Sequence, residues 1–148
     1  MKAISLWQPW ASLIACGVKM HETRHWRAPG WLIGQRIAIH AAKKLIADLG
    51  DDLEQLLVSE FGEDWMVMRL PRGAIVATAT LANCYPTAER ITWTTGADVI
   101  CGDWYPGRFA WHLTEIRKVD PAQPCRGAQG IWEWRPPPNC ARSSDGAR

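Results

Sequence analysis

The stretch Ser5-Leu6-Trp7-Gln8-Pro9-Trp10-Ala11-Ser12-Leu13-Ile14-Ala15-Cys16-Gly17-Val18-Lys19-Met20-His21-Glu22-Thr23-Arg24-His25-Trp26 holds a short helix with its own start and stop, and it runs straight into a knot of charge. Pro9 suits the first helical turn, where its missing N–H would find no partner, and Gly17 suits the position after the last turn, where positive φ is needed. The spacing predicts a helix over about Pro9 to Cys16, after a short strand over Lys2 to Leu6. The segment after the helix reads as a loop presenting Lys19, Glu22 and Arg24 within six residues, framed by Trp7, Trp10 and Trp26. A cation, a carboxylate and a second cation among indole rings compose a small site for a polar planar ligand.

Outward from this stretch, Trp31 to Gly34 reads as a short strand or turn. Arg36 to Ala41 alternates as a strand with one face buried, Ile37 and Ile39 on one side and His40 on the other. From about Lys43 to Phe61, apolar residues from Leu45 to Phe61 recur at steps of three and four, which predicts an amphipathic helix weakened at Gly50 and ended by Gly62. Ala74 to Ala82 is rich in β-branched residues and reads as a central strand. Tyr85 to Trp104 is mixed. After the turn signal Pro106-Gly107, Arg108 to Val119 alternates as a long half-buried strand, and Ile131 to Trp134 predicts a last short one. Residues 1–135 then form one domain, and 136–148, without periodicity, a disordered tail. This order predicts an α+β fold, a mixed β-barrel flanked by two principal helices, rather than a doubly wound parallel sheet. A ligand would sit in an outer cleft or at the mouth, between the barrel wall and the first helix.

Composition narrows the class. A chain of 148 residues, 47% hydrophobic, suffices for a single core. A formal charge of +2 and a pI near 8.3 lack the dense positive field of a protein that coats duplex DNA, so any nucleic-acid contact is expected to be local. With no apolar run of about 18 residues and no apolar signal region after Met1, the expected location is cytoplasmic. Five scattered cysteines at 16, 84, 101, 125 and 140 show no metal-ligand spacing and read as reduced thiols; neither metal nor cofactor is expected. Ten Trp against two Tyr and two Phe make indole the dominant ring, and several must sit where the N–H finds a partner.

The segments Ser5 to Ala11, Gly17-Val18-Lys19 with Glu22-Thr23-Arg24, Ile37 to Lys43, Arg72 to Ala77 and Gly127 to Trp132 resemble the ASCH domain family, in order, over roughly residues 4 to 134. The Gly-x-Lys-x-x-Glu-x-Arg run is the specific part. The resemblance implies a PUA-like fold and RNA or another nucleic acid as partner. Some small bacterial relatives are amidohydrolases of N4-acetylcytidine, and one resembles a ribonuclease. Family membership does not choose among these, so function rests on the site.

Lys19 reads either as a solvated lysine past a helix end or, in a cleft beside Trp7 or Trp10, as a base or a phosphate-holding cation. Glu22 reads as a partner of its neighbouring cations, or as an acceptor for an exocyclic amine and a general acid/base. Glu22 occupies the place where the amidohydrolases carry a nucleophilic threonine, and one step along an extended chain turns Thr23 to the opposite face, which speaks against their covalent chemistry. Arg24 offers a fork for phosphate or a base edge. Trp7 and Trp10 are candidates for stacking on a base, and Gln8 belongs to the same motif; Trp111, Trp132 and Trp134 read as core or wall. His40 and Lys43 close the second motif at a strand end and helix start, where backbone N–H groups favour an anion. Tyr105 and Arg108 flank the turn before the long strand and could line the same cleft. A second acidic catalytic residue has no clear position, with Glu89 and Asp103 in the mixed stretch. The expectation is thus a cleft lined by Lys19, Glu22 and Arg24 that binds RNA or a modified nucleoside, with Trp7, Gln8, Trp10, His40, Lys43, Tyr105 and Arg108 as further ligand contacts; any hydrolysis coupled to that binding would run through Lys19 and Glu22. The alternatives are a metal-free hydrolase, either amidohydrolase or ribonuclease, and a non-catalytic protein-interaction module.

Overall fold

A computed structural model describes residues 1–66 and 70–138. Its centre is one mixed sheet of six strands: β1 (Lys2–Gln8), β2 (His21–Arg24), β3 (Arg36–Leu45), β4 (Ala74–Pro86), β5 (Phe109–Pro124) and β6 (Trp132–Glu133), in the order β2-β5-β4-β3-β1-β6. Helix α1 (Trp10–Ala15) follows β1, which pairs in parallel with β3, Ala3 against Ala38 through Leu6 against Ala41; every other pairing is antiparallel. Helices α2 (Asp51–Phe61), α3 (Thr87–Arg90) and α4 (Gly96–Ile100) follow, with short 3-10 helices at Gly30–Leu32 and Ile91–Trp93.

The β-rich expectation holds, with strands where alternation placed them, but the closed barrel does not. Among the described residues β2 and β6 remain separate sheet edges. Register shifts along β4 and β5, between Ile75 and Ala77, Thr78 and Thr80, and Leu81 and Asn83, bend the long hairpin. A side chain rather than a strand ladder then crosses from β2 to β1: Arg24 NH2 donates to the Ser5 carbonyl at 3.2 Å. The main core fills the bend with Ile4, Leu6, Ile37, Ile39, Leu81, Trp111 and Leu113, capped by Ala11 and Ile14 of α1. The other face of α1 presents Leu13 to Leu53 and Leu57 of α2, with Trp65 and Cys101.

Three local readings are corrected. Lys43 and Lys44 are not helical: parallel pairing extends β3 to Leu45, opposite Gln8, and Ile46 N–H bonds the Gln8 carbonyl at 3.0 Å. The helix begins only at Asp51, after Gly50 at φ 78°, with Asp51, Asp52 and Glu54 in its first turn where carboxylates offset the unpaired N–H groups. The charged loop after α1 is partly a strand, because His21 to Arg24 pair with Phe109 to His112. The mixed stretch 85–104 ends β4 and carries α3 and α4. Most of the expected tail, from residue 139, lies outside the described residues. No described helix is long and apolar enough to cross a membrane.

Candidate functional site

The end of α1 sets the site. Gly17 at φ 82° reverses the chain, and the N–H groups of Val18 and Lys19 both return to the Leu13 carbonyl at 3.1 Å. This turn drives Lys19 inward, so it is no solvated lysine. Its side chain is 1% exposed, and its Nζ donates to the Cys101 carbonyl beyond α4 at 2.9 Å. Two further donors of that ammonium remain. Glu22, on β2, lies between two cations, its Oε1 4.0 Å from Lys19 Nζ and its Oε2 4.0 Å from Arg24 NH2. Both gaps exceed hydrogen-bond length, so the carboxylate is held electrostatically yet keeps acceptor capacity.

Arg24 is the most constrained member. Besides its bond to Ser5, its Cζ lies 5.7 Å from the Trp26 ring centroid and 5.6 Å from that of Trp111, and its Nε is buried with no partner among the described groups. An orphaned buried donor costs about 1–3 kcal/mol, and a ligand acceptor would recover it. Lys19, Glu22 and Arg24 line one open cleft of about 1850 Å³, together with Trp7, Trp10, Trp26, His40, Lys43 and Arg108.

The other expected residues divide. Trp7 is half exposed, with Lys44 Nζ 4.1 Å from its ring centroid, whereas Trp10 is partly buried and shared by two core clusters. Gln8 does not belong to the cleft: it is fully buried, with Nε2 donating to Ser12 Oγ and the Pro71 carbonyl and Oε1 accepting from Ser12 N–H. Its amide braces α1. Tyr105 is 75% exposed and outside the cleft. His40 and Lys43 sit on β3 rather than at a helix start, so no bundle of free N–H groups accompanies them. Arg108 donates from Nε to the Asp103 carbonyl and from NH2 to the Thr23 carbonyl, tying the far wall to β2. Thr23 Oγ1 in turn accepts from Asp103 N–H at 3.0 Å, which commits it to structure.

Sequence reasoning missed three features. Ser5 lies under the cleft with Oγ 3.1 Å from His40 Nδ1, and the segment from Pro124 to Gly130 forms a wall above them. Gly127 there has a physical reason: a Cβ would lie 2.4 Å from His40 Cε1 and 2.5 Å from Nδ1. The signal for this wall was the Gly127-Ala128-Gln129-Gly130 motif. The third is a buried network behind β2. His21 Nδ1 meets Asp98 Oδ2 at 2.7 Å, and Arg90 Nε donates to His21 Nε2 at 3.1 Å. His112 stacks on His21 with centroids 4.7 Å apart. Burial first, then the neighbouring His21 and Arg90, push His112 down to about 4. This network anchors α4, and with it the Cys101 carbonyl that holds Lys19.

Burial is also the largest cause raising Cys16, Cys84, Cys125 and Cys101, the last to about 11, so none of these thiols is a ready nucleophile at neutral pH. Among the described residues no group of three or more His, Cys, Asp or Glu side chains is arranged to hold a metal.

The sequence profile of the ASCH domain matches residues 4–123. No curated protein matches the sequence. Among solved structures, the chain is similar to the crystal structure of ASCH from Zymomonas mobilis, at 14% identity and a TM-score of 0.54, covering 99% of this chain and 94% of that one. Structures of a tyrosine-to-phenylalanine and a serine-to-alanine variant of the Zymomonas mobilis protein give TM-scores of 0.53 and 0.52, also at 14% identity, covering 99% and 98% of this chain and 96% and 94% of theirs. At this identity the likeness is one of fold.

Proposed function

Because the chain belongs to the ASCH domain family, we propose that it binds single-stranded RNA along the cleft of Lys19, Glu22 and Arg24, with bases stacked on exposed indole and phosphates on the flanking cations. The observation that carries this reading is the state of the three ionic groups. They line one cleft, yet Glu22 hydrogen-bonds neither cation and Arg24 Nε has no partner among the described residues. Groups that braced only the fold would close those bonds on one another. Trp7, half exposed at the rim, supplies a π-face, a contact worth about 1–3 kcal/mol per base. The cleft's 1850 Å³ exceeds the roughly 300–1,000 Å³ typical of small-molecule sites, which favours a strand over a lone nucleoside.

Fluorescence anisotropy with a labelled RNA of about ten nucleotides tests this. The wild type should bind, and Arg24→Ala and Trp7→Ala should each weaken binding about tenfold or more, the loss of ~1.4 kcal/mol or more. An unmodified or modified nucleoside that displaces the RNA at equal molar affinity would reassign the cleft to a small ligand; no binding would reject the proposal.

The 4.0 Å spacing of Lys19 Nζ and Glu22 Oε1 favours one second reading, metal-free hydrolysis with this pair as acid and base. Incubation with single-stranded RNA and with N4-acetylcytidine, resolved by chromatography, decides it. No turnover above a Lys19→Ala control removes those substrates.

A further inference from the structure

We propose that Ser5 and His40 form a nucleophile–base pair in the floor of this cleft, able to hydrolyse carboxylic esters with good leaving groups through an acyl-serine intermediate. Ser5 Oγ lies 3.1 Å from His40 Nδ1, within the range expected of such a pair. The opposite ring nitrogen, Nε2, lies 3.0 Å from the Cys125 carbonyl, which only accepts, so the hydrogen of neutral His40 resides there and the Nδ1 lone pair faces the serine. Gly127 packs so closely on the ring that no other residue fits, which fixes the imidazole plane. Trp132 Nε1 donates to Ser5 Oγ at 3.1 Å, occupying one lone pair and supporting negative charge on that oxygen. Burial holds His40 below the usual histidine range, the bond to Cys125 only partly offsetting it, so the base is neutral at pH 7.

In the acylation step Ser5 Oγ forms a bond to the ester carbon while its proton passes to His40 Nδ1, and the carbonyl electron pair moves onto oxygen. Collapse breaks the bond to the leaving alkoxide, which takes the proton from His40. Water then repeats the sequence in reverse, giving the carboxylic acid and restoring the serine. Arg24, bonded to the backbone carbonyl of the same serine, places positive charge beside the residue to which the tetrahedral intermediate is attached, its oxyanion being the former ester carbonyl oxygen. The substrate class follows from what stands behind the histidine. A backbone carbonyl orients the imidazole but lacks the charge with which a carboxylate stabilises imidazolium, so esters with good leaving groups fall within reach and amides do not.

Ser5 Oγ has a second acceptor, the Ala128 carbonyl at 3.1 Å, and one hydroxyl hydrogen serves only one of the two. The competing role is therefore a clasp for the 124–130 wall. Stopped-flow release of p-nitrophenolate from p-nitrophenyl acetate separates the two roles. The expected result is a burst of one equivalent per chain, an acetyl group mapped to Ser5, and at least a tenfold lower rate in both Ser5→Ala and His40→Gln. The wild-type rate should also stay level to a more acidic pH than free imidazole allows. Ser5→Cys, which retains a nucleophile, should still become acetylated at residue 5 even if Ser5→Ala misfolds. No burst, no acetyl on Ser5, or an equal rate in folded Ser5→Ala overturns the proposal and leaves the clasp. The assay contains no RNA, so its failure leaves the RNA-binding proposal standing, and the reverse also holds.

Discussion

Raising salt from about 50 to about 200 mM should weaken single-stranded RNA binding roughly fifteen- to twentyfold. Five cations line the cleft, Lys19, Arg24, Lys43, Arg108 and Arg126, against the carboxylates of Glu22 and Asp103. Offsetting each carboxylate with one cation leaves charge for about three phosphates, and a single strand loses about 0.7 in log affinity per phosphate for each decade of salt, a slope near −2. Arg126 is exposed on the Pro124 to Gly130 wall, away from the core. Replacing it with Ala should therefore cut the slope by about 0.7 without loss of stability. The assay is anisotropy of the labelled RNA at four or more salt concentrations, read as a log–log plot. A slope near zero in the wild type, or an unchanged slope in a Lys43→Ala, Arg126→Ala double variant, would mean that these cations do not meet phosphate.

Other consequences follow from the packing. Gly127→Ala forces a methyl into the His40 ring and should cost about 1–3 kcal/mol, read as a lower urea midpoint; an unchanged midpoint would mean that the wall moves freely. His112 titrates at about 4 in the folded chain against about 6.5 unfolded, so the unfolded chain binds more protons between those values and stability falls as pH drops from about 6.5 toward 4. The full shift corresponds to about 3 kcal/mol, which partial exposure reduces to about 1–2, and urea unfolding near pH 7 and pH 4.5 should show this loss in the wild type but not in His112→Gln. Asp98→Ala strips His21 of its buried acceptor and should cost about 1–3 kcal/mol. It should also weaken RNA binding by releasing the α4 wall; a destabilised variant with unaltered RNA affinity would show that α4 does not position Lys19.

The local and periodic features of this protein are legible in its residues without reference to the fold. Pro9 and Gly17 mark the ends of α1 because proline and glycine act on their own backbone, and the alternation in Arg36 to Ala41 and Arg108 to Val119 records which side chains meet the core whatever strand lies alongside. The family motif identified the cleft's ionic residues, since Lys19, Glu22 and Arg24 are close in the chain. Tertiary structure alone decided how those residues are used. Lys19 is buried because a carbonyl 82 residues away receives its ammonium, and Ser5 meets His40 only because β1 and β3 lie side by side in parallel register. The run from Lys43 misled for the same reason. Its helical period is real in Leu53, Leu57 and Phe61, but the strand runs on until Leu45 pairs with Gln8 of β1, and cross-strand hydrogen bonding outweighs a local periodicity that sequence alone can register.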